Sequence, residues 1–181
     1  MTSTTRTVVT LVLVAGWLAG CSTAPPTSEE RTQLLEQATA ALKDMSRVDP
    51  GVEELARKGY AYALFPDVGK GGVVFGGAYG RGVVYEQGQH VGYADLTLAS
   101  FGLQLGGQTY SELIVFENNA ALERFQQNRL EFTADASAII LMTGAAANAR
   151  FVDGIVVIVR PLVGAMGEAA IGGEQFRYVP K

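Results

Sequence analysis

The stretch "VGKGGVVFGGAYGRGVVYE", Val68 to Glu86, holds seven glycines between Gly69 and Gly82, interleaved with Val, Phe and Tyr. Glycine-rich loops often cradle phosphates, but each known cradle has a required context. A dinucleotide fingerprint needs Gly-x-Gly-x-x-Gly between a strand and a helix. Here Gly80-Arg81-Gly82 leads into "VVYE", which is strand-like. A P-loop needs an upstream glycine and Ser or Thr after Gly-Lys. Here Gly69-Lys70 is followed by Gly71. No helix start lies nearby to offer its dipole to an anion. The stretch is therefore read as strand and not as a nucleotide site.

Strand alternation gives the stretch two unlike faces. Gly72, Val74, Gly76, Ala78, Gly80 and Gly82 form a nearly bare face, and Val73, Phe75, Gly77, Tyr79, Arg81, Val83 and Tyr85 a bulky one. A bare face admits close approach of another chain segment or of a ligand. Packing within the domain is the favoured reading, and a ligand groove the alternative. Gly69, Lys70, Gly71 and Gly72 are expected to form a loop whose amides could grip a lipid headgroup, with Arg81 as a second basic candidate. A solvated turn lysine is the simpler reading of Lys70.

The flanks extend this strand texture. "YAYALF", "RGVVYE", "HVGYADLTLAS", "FGLQLGGQ" and "YSELIVFE" read as successive strands, with turns at Pro66-Asp67 and Gln87-Gly88-Gln89. "GIVVIVR" is another strand, and "AMGEAAIGGEQFRYVP" reads as a final hairpin. "EFTADASAIILM" is strand-like, and "NNAALERFQQN" is a helix capped by Asn118 or Asn119. Strands in neighbouring runs predict an α+β fold, mainly antiparallel, with a strongly curved or barrel-like sheet and flanking helices.

Before the strands come two helices. In "TSEERTQLLEQATAALKDMSR", Thr27 and Glu30 have capping-box spacing, and Leu34, Leu35, Ala38, Ala41, Leu42 and Met45 form an apolar stripe. Its polar face lacks the Lys and Arg of a membrane-surface helix, so packing on the domain is favoured over lying on a bilayer. "DPGVEELARKGY" is a short second helix, with Asp49 as cap, Pro50 in the first turn and Gly59 as stop.

The chain opens "MTSTTRTVVTLVLVAGWLAGC". Arg6 and the apolar run Thr7 to Leu18 have the pattern of an export signal, too short for the ~20 residues of a membrane span. "LAGC" ends on Cys21, the chain's single cysteine. This resembles the lipobox of bacterial lipoproteins, which implies cleavage before Cys21 and acylation of its thiol and new amine. Several acyl chains anchor firmly, at ~0.8 kcal/mol per buried methylene. Ser22 stands where an Asp would signal inner-membrane retention, so the expected location is the outer membrane, facing the periplasm. The expected organisation is a signal peptide at 1–20, a short Pro-containing tether at 21–28 and one domain at 29–181.

The composition excludes other classes. Of 181 residues, 48% are hydrophobic and 18% charged, which is globular. Of 14 Lys and Arg, the loss of Arg6 leaves 13 against 18 acidic residues, so the mature chain is acidic and no nucleic-acid partner is expected. One cysteine and one histidine exclude a disulfide and a His–His metal pair. No metal, cofactor or catalytic residue is expected. His90 reads as an exposed turn histidine, Ser111 and Ser137 lack a nucleophile elbow, and Asp95, Glu112 and Asp135 would pair only if folding happened to bring them together.

"GYAYALFPDVGKGGVVFGGAYGRGVVYE", "VGYADLTLASFGLQLGGQTYSELIVF" and "FTADAS" resemble the SYLF domain family, over roughly Ala40 to Arg177. The most specific element is Phe65-Pro66-Asp67-Val68-Gly69-Lys70-Gly71-Gly72. That family includes bacterial lipoproteins and the lipid-binding and actin-binding domains of eukaryotic trafficking proteins. The resemblance implies phospholipid binding, with an N-terminal amphipathic helix implicated. A non-catalytic, lipid-anchored envelope protein that binds phospholipid or another amphiphile is expected. The alternative is an adaptor that binds another envelope protein. A hydrolase using His90 comes third.

Overall fold

The computed structural model describes residues 23–129, 131–133, 138–140 and 143–181. The signal segment, Cys21 and most of "FTADAS", with Asp135 and Ser137, lie outside the described residues. Among those described, no helix is long and apolar enough to cross a membrane.

Helix α1 spans Ser28–Val48, and its start is set by a full capping box. The Thr27 hydroxyl accepts from the Glu30 amide at 3.1 Å, and the Glu30 carboxylate accepts from the Thr27 amide at 3.2 Å. These bonds satisfy two amides that a helix start otherwise leaves without partners. Helix α2 spans Gly51–Lys58. Pro50 already has helical dihedrals, and the Asp49 carboxylate accepts from the Gly51 amide at 3.0 Å. The same carboxylate accepts from the Ala146 amide at 2.7 Å, tying the helix start to a short helix distant in sequence.

The strands are β1 Ala61–Gly72, β2 Phe75–Glu86 and β3 Gln89–Phe116. Helix α3 (Asn119–Gln126) follows, capped by Asn118, then β4 (Glu131–Thr133), β5 (Ala138–Ile140), α4 (Ala145–Asn148) and β6 (Ile155–Pro180). All pairings are antiparallel except β5 with β6.

Three local expectations are corrected. Pro66-Asp67 is not a turn but a bulge inside a continuous β1, and the chain reverses at Val73-Val74 instead. Pro66 has no amide to give the ladder, so the ladder skips there. The Ser111 hydroxyl donates to the Pro66 carbonyl at 2.7 Å and holds the bulge. Second, the predicted strands of 89–116 are one strand. Its first half pairs with β2 and its second half with β1, so β3 passes around the tip of the β1–β2 hairpin. Third, the predicted final hairpin is the single strand β6, which follows β3 from Phe116↔Ile155 to Gly92↔Pro180. A long partner ladder overrides the glycines that suggested breaks. The turn at Gln87-Gly88 holds, with φ of 49° and 79°, the pairing that suits a tight hairpin.

The fold is α+β, as expected, but the sheet is neither closed into a barrel nor strongly curled. Its path runs β1-β2-β3-β6-β4 with β5 also on β6. Among the described residues no ladder joins β4 to β5, the pairing that closure would need.

Each sheet face has its own core. One gathers Phe65, Val68, Leu96, Ile114, Phe116 and Phe176 under Leu122 and Phe125 of α3. Phe125 lies 5.1 Å from Phe116 and 5.3 Å from Phe176, ring centre to ring centre. The opposite face sets Leu64, Val83, Leu113, Val115 and Ile158 against Leu34, Ala38, Ala41 and Met45 of α1 and Val52 of α2. The apolar stripe of α1 is thus packed on the domain, as its charge pattern suggested.

Candidate functional site

The glycine stretch is two structures in one. Toward the base of the hairpin, its bare face is filled by the protein itself. A Cβ on Gly82 would stand 2.6 Å from the Phe65 ring and 2.7 Å from the Leu64 carbonyl oxygen. A Cβ on Gly80 would stand 2.6 Å from Val68. The β1 bulge makes this possible: it shifts the phase of the strand, so Phe65 and Val68 share one face. The ligand-groove alternative fails at this end.

Toward the tip the opposite holds. Nothing lies within 4 Å of a Cβ on Gly69. Large apolar side chains are bare: Val73 is 64% exposed, Phe75 75% and Phe101 62%. Phe75 and Phe101 are directly opposed across β2 and β3, with ring centres 5.1 Å apart. Val163 on β6, 75% exposed, and Leu162 flank Thr109 and Tyr110 at the same end of the sheet. Isolated exposed apolar residues are ordinary; a cluster at one end of a sheet marks a contact surface.

The basic candidates separate. Lys70 stands in β1, paired with Ala78 and Gln108, so Gly69 to Gly72 are ladder residues and not the open loop expected. Its side chain lies on the face of Ala78 and Val68. Arg81, three residues beyond Ala78 on β2, lies on the other face by strand alternation. The sheet between them rules out one shared headgroup grip.

Arg81 is opposite Asp95 across the strands, its Nε 3.7 Å from the carboxylate. Asp95 is buried and also accepts from the Tyr79 hydroxyl at 3.1 Å. Arg81, Tyr79 and Pro66 line a cleft of about 360 Å³ against Pro25, Glu30 and Gln33. The start of α1 therefore sits beside the Pro66 bulge, midway along the hairpin.

Lys70 opens into a different site, a cavity of about 190 Å³. Tyr110, Glu112, Val157, Val159, Pro161 and Glu174 line it with Lys70 and Gln108. Glu112 is 1% exposed, and its Oε1 has no hydrogen-bond partner. Burial, and then the charge of Glu174, hold the Glu112 carboxyl well above the usual carboxylate range. Burial also raises Glu174, against the opposing pull of Lys70. Glu112 had been one of three acids that only folding could pair. Its partner proves to be Glu174, which no spacing in the sequence indicates.

His90 is half-buried rather than exposed. Its Nε2 lies 3.0 Å from the Gly92 carbonyl, and its ring packs between Tyr85 and Tyr93. Burial lowers its pKa. Among the described residues no hydrogen bond joins it to a serine or a carboxylate.

Comparison with known proteins adds one match. The model of the Ysc84 family, described as Las17-binding protein actin regulator, matches residues 97–174. The span takes in most of β3 and β6, including Glu112 and Glu174, and stops short of the β1–β2 hairpin and the N-terminal helices. No curated protein matches the chain. Residues 97–174 are thus similar to the Ysc84, or SYLF, domain family.

Proposed function

We propose that the protein is a non-catalytic, lipid-anchored envelope protein whose SYLF domain binds phospholipid bilayers through the tip of its sheet. The observation that carries this reading is the exposed apolar tip, with Val73, Phe75, Phe101 and Val163 bare at one end. Inserting such side chains at the acyl boundary removes apolar surface from water, at ~25 cal/mol per Å². Aromatic rings also suit the interfacial zone.

The position of the tether supports the same reading. Pro25 lines the cleft beside Tyr79 and Arg81, midway along the hairpin. Cys21 lies four residues before Pro25, at most ~14 Å away when fully extended. An acyl anchor on Cys21 would place tip and tether at one membrane, in keeping with outer-membrane location. Anchoring then raises the local concentration of the tip, so the tip contact need not be strong alone. Lys70 remains a candidate for a headgroup contact at the rim, whereas the Asp95 pairing of Arg81 favours a structural role.

The test is sedimentation of residues 22–181, which contain both cores, with phospholipid vesicles. The unacylated domain is expected to bind, and Phe75→Ser with Phe101→Ser to abolish binding while leaving the melting temperature nearly unchanged. Failure to bind vesicles of any composition would sink the reading and favour an adaptor. Normal acylation of a Cys21→Ser chain would refute the anchor.

A further inference from the structure

The Lys70–Glu112–Glu174 cavity is not explained by the apolar tip. Its floor is formed by buried Glu112 and Val157; its rim by Lys70, Gln108, Pro161 and Glu174, which are half-buried or exposed. A buried carboxylate oxygen without a partner is costly, and proteins rarely keep one without use. With both glutamates ionised, the two carboxylates and one lysine leave one negative charge uncompensated. The protein can relieve this by retaining a proton, or by taking up a single positive charge. The walls narrow the kind of cation. Val157, Val159 and Pro161 are apolar, only two carboxylates line the cavity, and among the described residues no group of three or more His, Cys, Asp or Glu is placed to hold a metal ion. An organic cation with short aliphatic carbons and several N–H donors meets both demands. Its N–H groups satisfy the carboxylates, and its carbons lie against the valines.

We propose that this cavity binds a primary alkylammonium group, with Glu112 and Glu174 as its acceptors. Lys70 lines the same cavity and acts on Glu174 from the rim, and so competes with the incoming cation. Two sources share this chemistry: a free small amine and the ethanolamine headgroup of a phospholipid. The free-amine case is independent of the lipid reading; the headgroup case rests on it.

The probe is ethanolamine, titrated into residues 22–181 while the methyl resonances of Val157 and Val159 are followed by NMR. Saturable shifts are expected, and choline, which has no N–H, should produce none. Glu112→Gln should weaken binding by at least about tenfold, as loss of a charged hydrogen bond does. Glu174→Gln, at the rim, should weaken it similarly and serves if the buried variant folds poorly. Lys70→Met should tighten binding, where an anion site would lose it. Absence of saturable shifts at tens of millimolar ethanolamine, or affinity unchanged from the parent in both glutamine variants, overturns the proposal. A second arm compares vesicles of ethanolamine and choline phospholipids, both zwitterionic. Preference for the ethanolamine lipid that Glu112→Gln erases identifies the headgroup as source; equal retention with ethanolamine binding intact identifies a free amine. Vesicle binding without ethanolamine binding overturns the cavity proposal and leaves the lipid reading standing. Ethanolamine binding without any vesicle binding does the reverse.

Discussion

The base and the tip of the β1–β2 hairpin share a composition and do opposite things. At the base, Gly80 and Gly82 lie flat so that Phe65 and Val68 can press onto the backbone. At the tip, Gly69 meets nothing, and Phe75 and Phe101 face outward. The same residue type serves dense packing in one place and an uncovered surface in the other. What differs is the neighbour: helices and Phe65 close the base, whereas the tip extends past them. Glycine content alone therefore says little about function until the register is known.

The largest test of this contrast pairs two phenylalanines. Phe65→Ala, which empties a fully buried site, should cost ~3–5 kcal/mol in denaturant unfolding. Phe75→Ala should cost about 1 kcal/mol or less, the worth of an exposed ring pair. Similar losses for both would mean that the tip is part of the core. Next come the glycines. Gly82→Ala forces a Cβ into the Phe65 ring and the Leu64 carbonyl, and overpacking of this kind should cost ~1–3 kcal/mol. Gly69→Ala should stay within ~0.5 kcal/mol, as open surface changes do. A reversed order would show that the register described is wrong.

The smallest effect concerns pH. The folded state holds the Glu112 proton more tightly than the unfolded state does. At low pH both states are protonated, and the group contributes nothing. As pH rises through the ordinary carboxylate range only the unfolded state releases the proton, so stability falls until the folded pKa is passed. Glu112→Gln has no proton to release. Its stability relative to the parent should therefore rise between about pH 5 and pH 8, in melts at each pH. Glu174, also raised, titrates with the same sign and is left in place, so the slope should shrink rather than vanish. An unchanged difference across that range would show that Glu112 is solvated.

Local chemistry was legible in the chain. The Thr27–Glu30 box, the stripe from Leu34 to Met45 and the Gln87-Gly88 turn are interactions within a few residues, and each stands where its spacing put it; of the two asparagines offered as cap for α3, Asn118 is the one used. So does the alternation of bare and bulky faces, because a strand's side-chain period is fixed by its backbone. The exclusion of a nucleotide loop followed from the same local rules. What tertiary structure alone decided is register. The Pro66 bulge, the passage of β3 around the hairpin and the uninterrupted β6 depend on which strands meet, and a one-residue slip exchanges the faces. That is why Lys70 and Arg81, close in sequence, lie on opposite faces of the sheet, while Glu112 and Glu174, remote in sequence, share a cavity. Short-range hydrogen bonds and sterics write themselves into spacing; the pairing of distant strands does not, because it is settled by the burial of whole faces at once.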